Sequence, residues 1–325
     1  KEAEALKIAI LLHDIGHGPF SHALENSIVT GLSHENLSLF FMKKLNKEFN
    51  GKLALAIEIF NNTHPKKFLH QLVSSQLDMD RLDYLKRDSF FSGVAEGNIG
   101  TERIINMLDV VNDELVVEEK GIYSIEKFLI ARRLMYWQVY FHKTVVSAEN
   151  MLIKVLQRAK FLISNNVTIF TTPSLEVFLK NNFTAKDFEK DTNLLNSFSE
   201  LDDVDIYTCL KYWKNSDDFV LSNLSKRLIN RKILKVKITK EPILEQEKNK
   251  LMNAFSKKYN CTKAEAEFFI FSYQTSNSTY NIEKSNINIL MKNGDVIDIT
   301  SASDQFNIEA LNKTVNKYFL CYPND

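Results

Sequence analysis

The sequence is poor in the features that mark secreted, membrane-spanning or nucleic-acid-coating proteins. Cysteine occurs three times in 325 residues, at Cys209, Cys261 and Cys321, with no CxxC pair. That spacing excludes a disulfide frame or a zinc knot and points to buried thiols in a reducing compartment. No apolar run reaches the ~18 residues needed to cross a bilayer, and no signal peptide is visible. A cytoplasmic protein without a membrane contact is therefore expected. An excess of one charge is also missing. The 41 basic and 41 acidic side chains cancel, which argues against a global hold on nucleic acid and leaves room only for a local basic patch. Glycine is scarce, and eight of the nine glycines lie at or before Gly121. All histidines lie at or before His142, so tight turns and titratable chemistry concentrate in the first half.

What is present is enough apolar residue, 44%, for a sizeable core, in a chain longer than one ordinary domain. The first residue is Lys1, and Ala3, Leu6 and Ile10, with Leu11 and Leu12, already read as one helix face. The chain is expected to open inside its own domain. Ser33 stands as a helix N-cap before Leu37, Phe40, Phe41 and Leu45. Residues 52–61 and 66–79 predict two further helices, the second started by Pro65. Residues 114–124 predict a β-hairpin turning at Lys120-Gly121. A helix of about 35–40 residues is expected from Ser124, and another starts at Thr172-Pro173. From Lys232 the pattern alternates: a strand in ILKVKI, a charged helix over 242–258, a hairpin around Asn293-Gly294 and a last strand in KYFLCY. The expected organisation is mainly α: a helical core over 1–165, a helical extension over 166–231 and a small α+β domain over 232–325, serving assembly or regulation.

Two clusters carry chemistry. His13-Asp14 alone is weak, because a polar helix end explains such a pair equally well. Here it follows an apolar helical stretch and precedes Gly16, Gly18 and Pro19, which end the helix in a tight turn. An imidazole and a carboxylate at that place suit a divalent Mg, Mn, Fe, Ni or Zn ion without choosing among them. His17 and His22 flank a second helix start, where free N–H groups favour a phosphate. The other cluster is Asp80, Tyr84 and Asp88, four residues apart and so on one helix face with Arg81 beside it. A solvated face with ion pairs is the plain alternative. The same residues also suit a metal, a phosphate and a sugar hydroxyl.

HDIGHGPFSH (residues 13–22), Ser33-His34-Glu35, DMDRLDYLKRD (78–88) and ARRLMYWQVYFHK (131–143) occur in order. Together they resemble the HD-domain dNTP triphosphohydrolases, the group containing the sterile-alpha-motif/HD enzyme and its bacterial relatives. The likeness covers roughly residues 5–160. It implies an all-α HD-domain helical bundle with a divalent metal held by an H…HD…D set, to which this chain contributes His13, Asp14 and Asp80. His17 and His22 would face the phosphates, with His22 in the catalytic group. His34 would be the general acid for the leaving 5′-oxygen, and Glu25 stands where an aspartate commonly supports a catalytic histidine. Arg81, Tyr84 and Asp88 match positions that bind the triphosphate and sugar, and Arg132 and Tyr140 match further substrate contacts. Phe141 replaces a polar residue of some members. The family's first metal histidine lies a few tens of residues before the HD pair, a region not in this sequence, and truncation or disorder is the expected reason.

The implied reaction is hydrolysis of a dNTP to a deoxynucleoside and inorganic triphosphate. One alternative is an HD phosphohydrolase or phosphodiesterase acting on another nucleotide, although no GYP signature or second His-His pair accompanies the motif. The other is a non-catalytic regulator that binds nucleotides in the same pocket. Lys226, Arg227, Arg231, Lys232, Lys235 and Lys237 form a run without an acid. It reads as a solvated face, or as an interface of a homo-oligomer (dimer or tetramer) or a site for an activating nucleotide, as the resemblance implies.

Overall fold

The computed structural model describes residues 1–23, 25–29, 31–277, 280, 286–304 and 314–324. The chain divides into two compact units, neither contiguous in sequence. The first comprises residues 1–13, 42–142 and 276–316, and the second 14–41, 143–275 and 317–325.

The first unit contains α1 (Glu2–Leu12), α4 (Ala54–Phe60), α5 (Lys67–Val73), α6 (Met79–Ser92), α7 (Thr101–Ile105) and α8 (Ile122–Met135). The second contains α2 (Glu25–Ile28), α9 (Lys143–Ser164), α10 (Pro173–Lys180), α11 (Ala185–Lys190), α12 (Thr192–Ser199), α13 (Asp203–Trp213), α14 (Phe219–Ile229) and α15 (Glu245–Tyr259). Helix α3 (His34–Glu48) has residues in both.

Packing in the first unit centres on Leu82, Leu85, Phe128, Leu129 and Met135, all but sealed from water. A smaller cluster joins Ala5 and Ala9 of α1 to Ile59, Leu69 and Val73. The buried stripe of α1 is centred on Ala5 and Ala9 with Leu6, Ile10 and Leu12 beside it, whereas Ala3 and Leu11, expected on that face, are exposed. Burying such a stripe is what holds a short helix in place. In the second unit one core gathers Leu37, Phe41, Val155, Phe178, Phe198, Trp213, Leu221 and Phe269.

The first unit also holds a four-stranded sheet in the order β1-β2-β5-β6: β1 (Leu108–Val111), β2 (Glu114–Glu118), β5 (Asn288–Leu290) and β6 (Val296–Asp298). Strand β2 runs antiparallel to β1 and parallel to β5, with Val117 opposite Ile289. The hairpin at Asn293-Gly294 therefore forms as expected, and it extends a sheet begun much earlier in the chain. A second sheet has the order β3-β7-β4, with β3 (Lys235–Thr239) antiparallel to β7 (Val315–Tyr322) and β4 (Phe271–Asn277) on the other side of β7.

Three local expectations need correction. The first hairpin turns at Asn112-Asp113, whose φ values of 52° and 62° match the twist of a tight two-residue turn. Gly121 is instead a residue of close approach, where a Cβ would meet Val117 at 2.6 Å. The long helix is two helices. A π-helical turn over Tyr136–Tyr140 ends α8, and Phe141, with φ −101° and ψ 23°, leaves the helical region before α9 begins. Finally, residues 66–79 are not one helix. Asp78 caps α6 by accepting the Arg81 N–H at 2.7 Å, and this side-chain bond sets a new helix start after Val73.

Candidate active site

In the first unit, α1 delivers His13 at its C-cap. The His13 Nδ1 lies 2.6 Å from the Ile10 carbonyl oxygen, which can only accept, so Nδ1 carries a proton and the ring is fixed through that nitrogen. The ring's Nε2 stands 3.9 Å from Oδ2 of Asp80, in the first turn of α6. The neighbouring imidazole holds the Asp80 carboxyl below its ordinary value, against its partial burial. A ring fixed through its far nitrogen, facing an ionised carboxylate across a gap too wide for a direct hydrogen bond, is a donor pair that fits a cation. Asp14 is the next residue of the chain.

Asp80, Tyr84 and Asp88 share one half-buried face of α6, while Asp83 and Lys86 are exposed. The Tyr140 hydroxyl donates to Asp88 at 2.7 Å, and the Tyr84 and Tyr140 rings meet edge to face at 6.0 Å. Burial pushes both phenols up, Tyr140 with the added effect of the Asp88 carboxylate. Both therefore stay protonated donors at neutral pH. The buried Arg132 guanidinium lies 5.9 Å from the centre of the Tyr136 ring. Arg81 pairs with Asp78, a carboxylate that is 1% exposed and also accepts the Ser75 N–H. Sequence reasoning assigned no role to Asp78 or Tyr136. The Asp-x-x-Arg spacing at a helix start was the available signal for the first.

In the second unit the turn after Asp14 brings three imidazoles together. Gly16 makes this turn fit: a Cβ there would meet the His34 carbonyl oxygen at 2.2 Å and the Ser38 nitrogen at 2.3 Å. Its N–H donates to the buried Ser38 hydroxyl at 2.9 Å. Phe20 and Ser21 adopt left-handed φ values of 55° and 47°, uncommon for non-glycine residues. The Phe20 N–H donates to Asp203 at 2.8 Å, a distant residue that sequence reasoning did not single out. The ring centroids of His17 and His34 lie 4.1 Å apart, those of His17 and His22 4.6 Å, and those of His22 and His34 5.1 Å.

Glu25 ties two of these rings. Its Oε1 accepts the His34 ring Nδ1–H and backbone N–H, each at 2.8 Å, and Oε2 stands 3.4 Å from the His22 Nδ1. Burial raises the Glu25 carboxyl, but these hydrogen bonds outweigh it and leave the group below its ordinary value. The His34 Nε2 is thereby turned outward, 3.6 Å from Glu35. His17 is pushed down by burial and by the other two imidazoles, with Asp14 at 3.8 Å opposing.

Other residues are accounted for structurally. The His64 Nδ1 accepts the Lys66 N–H at 3.2 Å, and the His70 Nδ1 donates to the Ile59 carbonyl at 3.0 Å. Cys209 and Cys321 are buried free thiols, and Cys261 is half-buried. Lys226, Arg227 and Lys232 line a concavity of about 530 Å³ with Asn223, Asn230 and Asn324, while Lys237 pairs with Glu247 at 2.8 Å. Among the described residues, no helix is long and apolar enough to cross a membrane.

Comparison with known proteins gives the family context. The HD domain profile matches residues 1–88, and an HD associated region matches residues 99–170. An uncharacterized Bacillus subtilis protein, YwfO, is 30% identical over all of this chain and 74% of its own length. A Dictyostelium discoideum protein named as a deoxynucleoside triphosphate triphosphohydrolase SAMHD1 homolog is 27% identical over 49% of this chain, which spans 34% of that protein. The crystal structure of a phosphohydrolase from Bacteroides thetaiotaomicron superposes with a TM-score of 0.94 at 54% identity, over 99% of this chain and 80% of that one.

Proposed function

We propose a reaction for this chain from the premise that it belongs to the HD-domain phosphohydrolase family, whose members are metal-dependent. The reading is hydrolysis of a dNTP to a deoxynucleoside and inorganic triphosphate. The observation that carries it is the Glu25–His34 pair: an imidazole fixed through Nδ1 by an ionised carboxylate presents Nε2 as a proton donor. The relative named as a dNTP triphosphohydrolase supports the choice of substrate.

His13, Asp14 and Asp80 would hold the divalent ion, a mixed nitrogen and oxygen set that suits several metals. When bound, the ion supplies Lewis-acid polarisation of a phosphoryl oxygen and a more acidic water. The chain's own residues do the rest. His17 and His22 bind phosphate oxygens by N–H donation. His34 gives its Nε2 proton to the departing 5′-oxygen, and Glu25 offsets the charge of the imidazolium that precedes transfer. Tyr84 offers a hydroxyl donor to the sugar end, and Tyr140, whose proton goes to Asp88, offers an acceptor oxygen there, while Arg132 faces the phosphate chain. Arg81, tied to Asp78, steadies the start of α6 and so the position of Asp80. The free thiols support a cytoplasmic setting, and the basic concavity supports assembly into a homo-oligomer or the docking of an activating nucleotide.

The test is product analysis. The full-length protein is incubated with each dNTP and a divalent metal, and the products are resolved. Deoxynucleoside plus triphosphate is the expected outcome. Monophosphate plus pyrophosphate would refute this reading.

A further inference from the structure

A general acid needs one imidazole, yet three converge in the second unit. We infer that His17, His22 and His34 form a second metal site for a transition ion such as zinc or cobalt, with ligands distinct from His13 and Asp80. One donor nitrogen from each ring lies within 4.8 Å of the other two. Three imidazoles at about 2.0–2.1 Å from one ion, with a fourth position open, make a stable zinc-type site. The all-nitrogen donor set favours such ions over magnesium, which takes oxygen.

Glu25 strengthens the case independently of the ring spacing. Its two oxygens address the Nδ1 atoms of His34 and His22 at 2.8 and 3.4 Å. A carboxylate on the far nitrogen of a ligating histidine fixes the tautomer, aims the Nε2 lone pair and raises its donor strength. One residue does this for two rings of the trio. The charge of the ion is offset by Glu25 and by Glu35, 3.6 Å from the His34 Nε2.

Binding requires a modest rearrangement. The His17 and His34 planes are nearly parallel, 15° apart, and two parallel stacked rings cannot both aim in-plane lone pairs at one point. His17 must therefore turn about χ2, a broad and soft torsion. The His22 and His34 planes already cross at 77°, and the His22 side chain is 72% exposed and able to swing inward.

Occupancy would take the lone pair at which His34 carries its proton, so an ion here inhibits turnover. That consequence rests on the reaction proposed above, whereas the binding does not. The test strips the full-length protein of metal and dialyses it against cobalt(II), then measures cobalt per chain and the visible spectrum. The unmodified protein is expected to bind one equivalent more than His22→Ala or His34→Ala, with the intense bands of a four-coordinate ion absent from both variants. Glu25→Gln should weaken that equivalent by about 10–100-fold. His22→Ala removes an exposed ring, and circular dichroism checks that it folds. Unchanged cobalt content and spectrum in both histidine variants would overturn the site, whatever the activity. A second equivalent in a protein that releases no triphosphate even when only its first equivalent is bound would keep the site and remove the proposed reaction.

Discussion

One oxygen of Glu25 holds His34 twice, accepting its ring Nδ1–H and its backbone N–H, each at 2.8 Å. The carboxylate thereby sets both where α3 begins and which nitrogen of the ring faces outward. A single side chain couples the local fold to the proposed acid.

Glu25→Gln keeps an acceptor but removes the charge. Steady-state kinetics with a dNTP should show kcat lowered roughly 100-fold, the lower range of a general acid's contribution, with KM little changed. A kcat equal to that of the unmodified protein would take Glu25 out of the mechanism.

Asp80→Asn removes the anionic partner of the His13 imidazole, 3.9 Å away. The variant should retain its helical circular dichroism, lose bound metal by elemental analysis and fall to background turnover. Metal content and turnover equal to those of the unmodified protein would show that Asp80 is not a ligand.

Tyr140→Phe deletes the hydroxyl that donates to Asp88 at 2.7 Å. If the pair orients the sugar end of the substrate, KM should rise up to about tenfold, the equivalent of one hydrogen bond of about 1–1.5 kcal/mol. The kcat should change little. A loss confined to kcat would move Tyr140 from binding to chemistry.

Gly16→Ala forces a methyl group against backbone atoms of α3 at 2.2 and 2.3 Å, and backbone cannot rotate away as a side chain can. Denaturant unfolding should show a loss of about 3 kcal/mol or more. A smaller loss would mean that the turn after Asp14 shifts easily.

Asp218 supplies a pH test of stability. Its carboxylate meets the Arg158 guanidinium at 3.0 and 3.2 Å from Nε, and it accepts the Leu221 N–H at 2.8 Å to cap α14. Burial raises its pKa, but the Arg158 and backbone hydrogen bonds outweigh burial and leave it lowered from 3.8. A lowered folded value means the contribution is present above the unfolded value and fades as pH falls through the folded one. Asp218→Asn should therefore cost about 3 kcal/mol at neutral pH, because a mostly buried arginine loses its partner. The gap between variant and unmodified protein should narrow below pH 3.8. A gap independent of pH would assign the effect to packing.

The sequence by itself determined the family and the helical character, together with the features that depend on near neighbours. The apolar spacing of Leu37, Phe40, Phe41 and Leu45 specifies α3, the alternation in ILKVKI specifies β3, and Asn293-Gly294 specifies a turn. Each rests on interactions within a few residues, so each was readable from spacing alone. The order of the His-Asp motifs was enough to name the family for the same reason. Tertiary structure decided what depends on partners far along the chain. Periodicity continues across Tyr136–Tyr140, yet the helix breaks there, with α8 packed in one unit and α9 in the other. Val117 found Ile289 as its strand neighbour, and Phe20 found Asp203, across separations that no local pattern encodes. The convergence of His17, His22 and His34 on Glu25 belongs to the same class. The four residues are close in sequence, but only the turn permitted by Gly16 against the α3 backbone fixes which ring nitrogen points where.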